Sequence, residues 1–309
     1  MTAPTNTFLT SAAIGNREDL TDTIYRISPT ATPFISMAAK GKAAHTIHEW
    51  QTQDLASAVA NAQAEGDNAS AKTVTPTVRL QSRTQISTKT VIVSGTQQAM
   101  NPAGRKDEMA YQLSLAALEL RRDMEFGLLQ NGAGAASPRS VKGLRIWVGD
   151  NVDPGAGYVA PVYTSTDGTV NTDGTPAAFT EARLKNALQK AFTAGGDPDT
   201  ILMSPAAKQT FSTFTGNSTR YDKGEDSKLF AAIDVYVSDF GELKAVPSRF
   251  QRTRDVFILQ SDKWAVAYLR PFTTVELATT GDASQRELVV EYAIEARAPK
   301  ANAAVYDIT

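Results

Sequence analysis

The sequence predicts an α+β fold in which helices and strands occur in separate blocks. Residues 78–89 and 287–297 alternate with a period of two, which is typical of strands that have one covered face. Residues 107–130 carry apolar side chains at steps of three and four, as a long helix requires. No repeated strand–helix–strand unit connects these segments, so the pattern favours α+β over a parallel α/β sheet.

Composition excludes several classes of function. The chain has 309 residues, no cysteine, and a formal charge of −2 from 31 basic and 33 acidic side chains. The absence of cysteine rules out disulfides, cysteine-ligated metals and a thiol nucleophile. A slightly acidic chain is not expected to bind nucleic acid tightly, and there is no signal peptide or membrane-spanning apolar stretch. The sequence therefore predicts a soluble protein without a standard export signal.

The chain begins with an arm, residues 1–42, that contains one short predicted helix at 19–27. Pro29 and Pro33 then prevent a helix from continuing and favour an extended path. The arm has few large apolar residues, so it cannot form a core of its own. We expect it to lie on another surface or to be partly disordered.

The next segment, residues 43–95, is predicted to form a long β-hairpin. Residues 43–53 are compatible with a strand and 78–89 supply the return strand. Between them, 54–73 is rich in alanine and has only Leu55 and Val59 as larger hydrophobic residues. Because such a segment buries too little to offset its ordering entropy, we expect a wide, mobile tip.

A spine helix over 107–130 is predicted to be about 36 Å long at 1.5 Å per residue. Its apolar residues lie on more than one face, so we expect neighbouring elements to pack on more than one side of it. Gly132 is predicted to end the helix as a glycine cap. Residues 150–176 contain Thr-Asp-Gly-Thr twice, which indicates a hairpin or surface excursion.

The remaining sequence is a series of shorter elements. An amphipathic helix is predicted after Thr180, a buried strand at 201–203, and a second helix after Ser204 that ends near Phe214. Residues 215–228 are predicted to form a polar loop. Further strands are predicted at 235–237, 256–259, 264–269, 273–278 and 287–297.

Few residues suggest catalytic or metal chemistry. His45 and His48 are three apart in a predicted strand, so they point to opposite faces, and no cysteine or further histidine could complete a metal site. Gly132 and Gly134 follow a helix, whereas a phosphate-binding loop follows a strand. We therefore predict no catalytic residue, no cofactor, no metal and no enzyme activity.

Three segments support a family resemblance: 19–38 (DLTDTIYRISPTATPFISMA), 184–211 (LKNALQKAFTAGGDPDTILMSPAAKQTF) and 287–299 (ELVVEYAIEARAP). With the order of elements, they resemble the major capsid proteins of tailed bacteriophages with the Hong Kong 97-type fold. The resemblance covers nearly the whole chain. It implies an N-terminal arm (1–42), an extended hairpin loop with its strands (43–95), a peripheral domain (96–178 and 271–309) with spine helix 107–130, and an axial domain (179–270).

The same resemblance implies a shell subunit that assembles through pentamers and hexamers into an icosahedral shell around double-stranded DNA. Assembly would take place in the host cytoplasm and the product would be the virion capsid, with no membrane contact and only weak, non-specific contact with DNA. A separate scaffold or maturation protease, a portal and cement proteins would be its partners. Contacts between subunits are expected at Tyr25, Phe34, Asp54, Leu55, Val59, Glu65, Asp67, Lys72, Arg79, Arg83, Arg220, Asp222 and Lys223.

Other classes of function stay open from the residues alone. A soluble hydrolase or binding domain would have a concave pocket with convergent polar groups, and acidic pairs that meet in space are not visible in a sequence. A tail tube subunit would also assemble, but it would leave the long helix unexplained.

Overall fold

The computed structural model describes residues 31–68, 71, 73–100, 107–214, 235–279 and 281–309. The helices in these ranges are α1 (Pro33–Met37), α2 (Gly95–Ala99), α3 (Glu108–Gln130), α4 (Leu144–Trp147), α5 (Glu181–Thr193) and α6 (Pro205–Phe211). The strands are β1 (Ala39–Lys42), β2 (Ile47–Thr52), β3 (Val78–Arg83), β4 (Gln85–Ser94), β5 (Ala135–Ala136), β6 (Arg139–Ser140), β7 (Asn151–Asp153), β8 (Thr200–Met203), β9 (Val235–Ser238), β10 (Gly241–Pro247), β11 (Val256–Leu259), β12 (Trp264–Glu276), β13 (Ala283–Ala296) and β14 (Ala303–Val305). The predicted helix at 19–27, the loop at 215–228 and the predicted contact residues Tyr25, Lys72, Arg220, Asp222 and Lys223 lie outside the described residues.

One sheet has four strands in the order β1-β12-β13-β4. β13 runs antiparallel to both neighbours, and β1 runs parallel to β12. The prediction of two separate strands at 264–269 and 273–278 is wrong, because β12 runs through both. Its register shifts on either side of Arg270, and this irregularity accommodates Pro271, which has no N–H to donate.

The prediction that 287–297 has one open face is also wrong. Leu288, Val290 and Ile294 face the core beneath α3, but Val289 and Glu291 on the other face are buried as well. Glu291 is buried because it is satisfied by polar partners: Arg139 and Arg270 form ion pairs with it and Thr84 donates a hydrogen bond. The alternation of apolar and polar residues in this strand therefore indicated a polar part of the interior, not a face open to solvent.

The predicted strand at 78–89 is divided at Thr84 into β3 and β4. Leu80, Ser82 and Thr84 are buried, but beyond Thr84 the same side of the strand becomes exposed, with Ile86 42% accessible. The exposure changes because the chain stops pairing with β2 and pairs with β13 instead. In β4 the odd-numbered residues face the helix, as Lys89 does in its ion pair with α3. A continuous period of two in the sequence does not reveal this change of sheet.

The spine helix is confirmed as α3. Asp107 caps it, its carboxylate accepting a hydrogen bond from the Ala110 N–H, and Leu120, Met124 and Leu128 are fully buried. The predicted glycine cap is wrong, because Asn131 ends the helix in an extended conformation. Its side-chain amide donates to Gln85 Oε1 (2.9 Å) and to the Val141 carbonyl (3.1 Å), so side-chain hydrogen bonds replace the glycine turn.

A second sheet has six strands in the order β7-β14-β11-β8-β10-β9. The buried stripe of α5 (Leu184, Ala187, Leu188, Ala191) and α6 pack on it in a separate hydrophobic cluster. Phe192, which follows this stripe, is 54% exposed. β7, β10 and β14 were not predicted as strands. β7 and β14 come from the predicted peripheral segments 96–178 and 271–309 but lie in this sheet, and β12 runs across the predicted domain boundary at residue 270.

The excursion was predicted over 150–176, but 151–153 form β7, so the excursion in the structure is 154–176. Two antiparallel bridges, Val159 with Thr172 and Val162 with Thr169, form a loose hairpin. Its turn lies at Gly168, whose φ of +71° is a conformation that favours glycine. The hairpin packs against the base of the extended hairpin described next.

Candidate assembly surface

The base of the extended hairpin, β2 paired with β3, is packed into the subunit. The two strands pair antiparallel from Ile47 opposite Arg83 to Thr52 opposite Val78. Trp50 Nε1 donates a hydrogen bond to the Ala296 carbonyl (2.8 Å), and its ring lies 5.3 Å from that of Trp147. This side of the hairpin is therefore held by aromatic packing against buried parts of the subunit.

Charged groups strengthen the same base. His48 Nε2 lies 3.1 Å from Glu295 Oε2, and this hydrogen bond lowers the pKa of Glu295. Arg83 donates to Asp167 in the excursion, and that bond raises the pKa of Arg83. His45 lies before β2, is exposed, and accepts a hydrogen bond from the Ile47 N–H. In the part of the chain that the structure describes, no three or more His, Asp or Glu side chains gather as a metal site.

A buried lysine supports the aromatic side of the base. Lys142 has no exposed area, and its Nζ donates to the carbonyls of Tyr163 and Ser165, both at 2.9 Å. The same Nζ lies 4.2 Å from the ring centroid of Trp147. Burial lowers the pKa of Lys142 to about 7. The lysine thus connects the hairpin base, through Trp147, to the excursion.

The tip of the extended hairpin, residues 53–77, has the opposite character. Its described residues, 53–68, 71 and 73–77, form no strand or helix and are all exposed. Leu55 is 97% and Val59 79% accessible. The two arms are linked near the base by Gln53 Nε2, which donates to the Thr75 carbonyl at 2.9 Å, and Asp54 forms an ion pair with Lys300. The Thr77 hydroxyl also donates to Gln51 Oε1 across the two arms at 3.0 Å, and beyond these contacts the described tip makes only local hydrogen bonds.

The predicted contact residues fall into three groups. The residues that are exposed on the tip or at the mouth of the hairpin are Asp54, Leu55, Val59, Glu65, Asp67 and Arg79. Arg83 is half-buried in its pair with Asp167. Phe34 corrects the prediction: it is fully buried and packs edge-on against Trp264 at 5.8 Å, so its side chain offers no area to a neighbour. Sequence reasoning placed Phe34 in a coreless arm, but the arm reaches the common core there.

A buried ion-pair network joins the excursion and the end of the chain to β11. Asp173 pairs with Arg145 and Arg252, which hold the pKa of Asp173 below its ordinary value. Asp307 pairs with Arg254 at 2.7 Å, while burial raises the pKa of Asp255 to about 6. Each of these carboxylates lies against an arginine, so the network fits a role in holding three segments together.

An open groove of about 600 Å³ lies between α3 and β4. The charged residues along it include Lys89 and Glu119, which lie 3.9 Å apart, and Lys89 also pairs with Asp123 at 2.9 Å. In these ion pairs the charges of α3 and β4 neutralise one another. The groove lacks the enclosed, convergent polar groups of a typical substrate pocket.

Comparison with known proteins identifies the family. Residues 3–309 match the SU10 major capsid protein family. The chain belongs to this family. It is also 27% identical to the major capsid protein of Escherichia phage Phieco32 over 340 aligned positions, which cover 94% of each chain.

Solved structures share the fold of this capsid protein at low sequence identity. The capsid asymmetric unit of cyanophage A-1(L) has a TM-score of 0.67 at 15% identity, covering 97% of this chain and 98% of that one. The capsid of a native GTA particle, computed with C5 symmetry, has a TM-score of 0.66 at 10% identity and the same coverage. The satellite phage P4 procapsid, which includes the size determination (Sid) protein, has a TM-score of 0.54 at 12% identity, covering 92% and 93%.

The predicted fold class and function are confirmed. The capsid protein has an α+β, Hong Kong 97-like fold, and it is a major capsid protein of a tailed phage and a component of the virion. The matching family consists of major capsid proteins, so this chain is a subunit of the capsid shell. Among the described helices, none is long and apolar enough to cross a membrane.

Proposed function

We propose that this capsid protein forms pentamers and hexamers, and that these close into an icosahedral shell when the tip, residues 53–77, crosses onto a neighbouring subunit. The observation behind this proposal is the contrast within one hairpin: a base anchored by Trp50 and a tip whose Leu55 and Val59 are almost fully exposed. An ordered position for such a tip needs contacts from outside the subunit.

The physical argument concerns cooperativity. A single tip contact is modest, but every subunit in a closed shell both gives and receives one, so many weak contacts act together. When one surface of a subunit contacts a different surface on the next copy, repeating this contact gives a ring if the rotation between copies closes. Pentamers and hexamers are such rings, and the C5 symmetry of the GTA capsid is consistent with them.

The rest of the chain is assigned by the same resemblance. Residues 1–42 form an arm that lies on other surfaces, 43–95 the extended hairpin with its strands, 96–178 and 271–309 the peripheral domain, and 179–270 the axial domain at the capsomer centre. The described strands β7, β12 and β14 connect the segments assigned to the peripheral and axial domains, so we propose that these two domains move as connected units.

The proposed partners follow from the shell role. A separate scaffold or maturation protease, a portal and cement proteins would guide and complete assembly, as Sid is part of the P4 procapsid. Packaged double-stranded DNA would be touched only weakly, since the chain has a net charge of −2 and a pI near 5.8. We assign the chain no enzyme activity.

The subunit contacts remain a proposal, in two groups. On described residues we propose Asp54, Leu55, Val59, Glu65, Asp67 and Arg79. Outside the described residues we keep Tyr25, Lys72, Arg220, Asp222 and Lys223. Phe34 is withdrawn because it is buried within the subunit, and Arg83 is withdrawn because its side chain is only 20% exposed and is held by Asp167.

Deletion of residues 58–71 tests the proposal. We expect a folded subunit, judged by circular dichroism and a cooperative thermal transition, that forms no closed shells in electron micrographs. A matched control replaces 58–71 with a glycine–serine segment of equal length, which keeps the reach and removes the side chains. Intact shells from the deletion variant would overturn the assignment of the tip.

A further inference from the structure

The excursion, residues 154–176, is held to the subunit mainly by polar contacts. Only three of its residues are buried: Gly155, Pro161 and Asn171. Two isolated antiparallel bridges are the backbone pairing between its two arms. A segment with so few buried apolar contacts opens at a lower free energy than the core beneath it.

The two ends of the excursion meet at a narrow neck. A Cβ on Gly155 would lie 2.1 Å from the Thr175 carbonyl oxygen, so the backbone fits there only without a side chain. Asp307 Oδ2 accepts hydrogen bonds from the N–H groups of Gly155 (3.2 Å) and Gly174 (2.9 Å), and Arg254 donates to the Gly174 carbonyl (2.8 Å). These contacts fasten both ends of the excursion to one buried carboxylate.

The far end of the excursion makes a second set of contacts. Lys142 Nζ donates to two of its carbonyl groups, both at 2.9 Å, and the Gly134 N–H donates to the Asp167 carbonyl at 2.6 Å. The Asp167 carboxylate forms the ion pair with Arg83 of the hairpin. We call these contacts the latch, because they lie at the opposite end of the excursion from the neck.

The latch holds the base of the extended hairpin. In the amide orientation that satisfies both of its ends, Gln81 of β3 accepts a hydrogen bond from the Thr166 N–H at 3.1 Å. The Trp147 ring lies 5.3 Å from Trp50 of the hairpin and 6.0 Å from Tyr163 of the excursion. The base is therefore held by two partners, the excursion and β13.

The closed latch covers two side chains that neither hydrophobic cluster contains. A Cβ on Gly168 would lie 3.0 Å from Lys142 Cδ and 3.0 Å from Ile146 Cγ2, so the turn of the excursion lies directly over both. Both side chains are fully buried, yet both are absent from the two clusters. Lys142 forms no ion pair with any described residue, so the closed latch keeps this amine from water without a carboxylate partner. Opening the latch returns the amine to water, which offsets part of the contacts that are lost.

We propose that the excursion is a strap that stays attached at the neck and opens at the latch while both sheets remain folded, so that the hairpin can change direction. With the latch open, the contacts of Trp50 and His48 with β13 are left as the pivot of the hairpin. The inference concerns contacts within one subunit and does not depend on where the tip docks.

Labelling of a thiol placed under the turn tests whether the strap opens by itself. The chain has no cysteine, so Ile146→Cys introduces a single thiol. A thiol reagent reaches it when the latch opens, whereas Ile258→Cys, the same change in the fully buried β11, reports unfolding of the subunit. We expect Ile146→Cys to react at least about tenfold faster than Ile258→Cys in the free subunit. Equal rates would overturn the proposal.

The pH dependence of this labelling tests the part that Lys142 has in the latch. Its pKa is about 7 in the folded subunit and 10.5 ordinarily, so the closed latch is increasingly favoured as pH rises between these values. The groups that face Lys142 are Trp147, the two carbonyl groups and Asp167. After correction for the reactivity of an exposed thiol at Lys244→Cys, we expect the opening constant of Ile146→Cys to fall about fivefold from pH 7 to pH 8. Adding Lys142→Met is expected to abolish this fall, and a fall of equal size in that variant would contradict the latch.

A disulfide that keeps the latch closed tests the effect on the hairpin. A Cβ on Gly132 would lie 3.1 Å from Val170 Cγ2, so Gly132→Cys/Val170→Cys can join the excursion to the segment after α3. The control Val159→Cys/Thr172→Cys joins only the two arms of the excursion, across one of their bridges. We expect oxidation to slow trypsin cleavage after Arg83 about tenfold in the first variant and to leave it unchanged in the control. Equal cleavage of the oxidised and reduced forms of the first variant would overturn the proposal.

Discussion

The base and the tip of the extended hairpin belong to one continuous segment of the chain, yet they differ in how their side chains are packed. At the base, Leu80 is 1% exposed and Trp50 packs on Trp147 and binds the Ala296 carbonyl. At the tip, Leu55 and Val59 are exposed to 97% and 79%. The subunit therefore determines the direction in which the hairpin leaves it, while the final position of the tip depends on a neighbour.

This division explains how one chain can be stable and still assemble. A base that is rigid reduces the entropy that is lost when the tip docks, since only the tip has to be ordered. Because the tip packs on no hydrophobic core, its exposed residues do not disturb the packing of the free subunit. Substitutions at the two ends are thus expected to affect different measurements, and the following predictions rely on that difference.

The largest difference is expected between Leu80→Ala and Val59→Ala. Leu80→Ala leaves a cavity in a closed core and is expected to lower the free energy of unfolding by about 3 kcal/mol. Val59→Ala is expected to change it by less than about 0.5 kcal/mol, because the side chain is already in water, while shell yield falls. Urea unfolding of the subunit and particle counts measure both effects. A large loss of subunit stability in Val59→Ala would contradict the comparison.

The next effect concerns pH and Lys142. Its pKa is about 7 in the folded subunit and 10.5 ordinarily, so between these values the unfolded chain binds more protons and stability rises with pH. We expect the original subunit to gain about 2 kcal/mol between pH 7 and pH 9 from this group. Lys142→Met removes that gain, whatever its own stability. Unfolding curves at the two pH values check it, and an unaltered slope in the variant would contradict the role of Lys142.

A smaller effect is expected from Trp50→Phe. Phenylalanine preserves an aromatic contact with Trp147 but removes the Nε1–H that binds the Ala296 carbonyl. We expect a loss of about 1 kcal/mol in the free energy of unfolding. Tyr236→Phe, which loses the hydrogen bond of a buried side chain to Glu181 in the other hydrophobic cluster, is a control for generic destabilisation. Only Trp50→Phe is expected to raise the protease sensitivity of β2 and β3.

The smallest effect is expected at Glu295. Its pKa lies below the ordinary 4.5, chiefly because of the hydrogen bond with His48, so its contribution is present above about pH 4.5 and is lost as pH falls through the lowered value. Glu295→Gln is expected to reduce the acid-dependent loss of stability. Thermal unfolding from pH 6 to pH 3 measures it. An identical acid profile in the variant would show that the pair with His48 does not hold the base.

Local patterns predicted much of the fold. The period of α3, the Ser204–Pro205 start of α6 and the glycine turn of the excursion are set by nearby residues, so they could be read directly. The burial of both faces of β13 could not be read, because it depends on Arg139 and Arg270, which are remote in sequence. The change of sheet at Thr84 could not be predicted either, since a period of two does not show which strand is the partner.

The assembly surface was predictable only in part. The exposed tip was foreseen because alanine-rich sequence buries little, whatever the fold. Burial of Phe34 was missed because it depends on Trp264 and on Glu125, whose carboxylate fixes the α1 backbone from 91 residues away.

Amide hydrogen exchange of the free subunit and of assembled shells tests the central claim most directly. The account predicts that peptides from 53–68 exchange freely in the subunit and become protected in shells, while peptides from β2 and β3 are protected in both. Protection of 53–68 in the free subunit, or free exchange of the same peptides in closed shells, would contradict it.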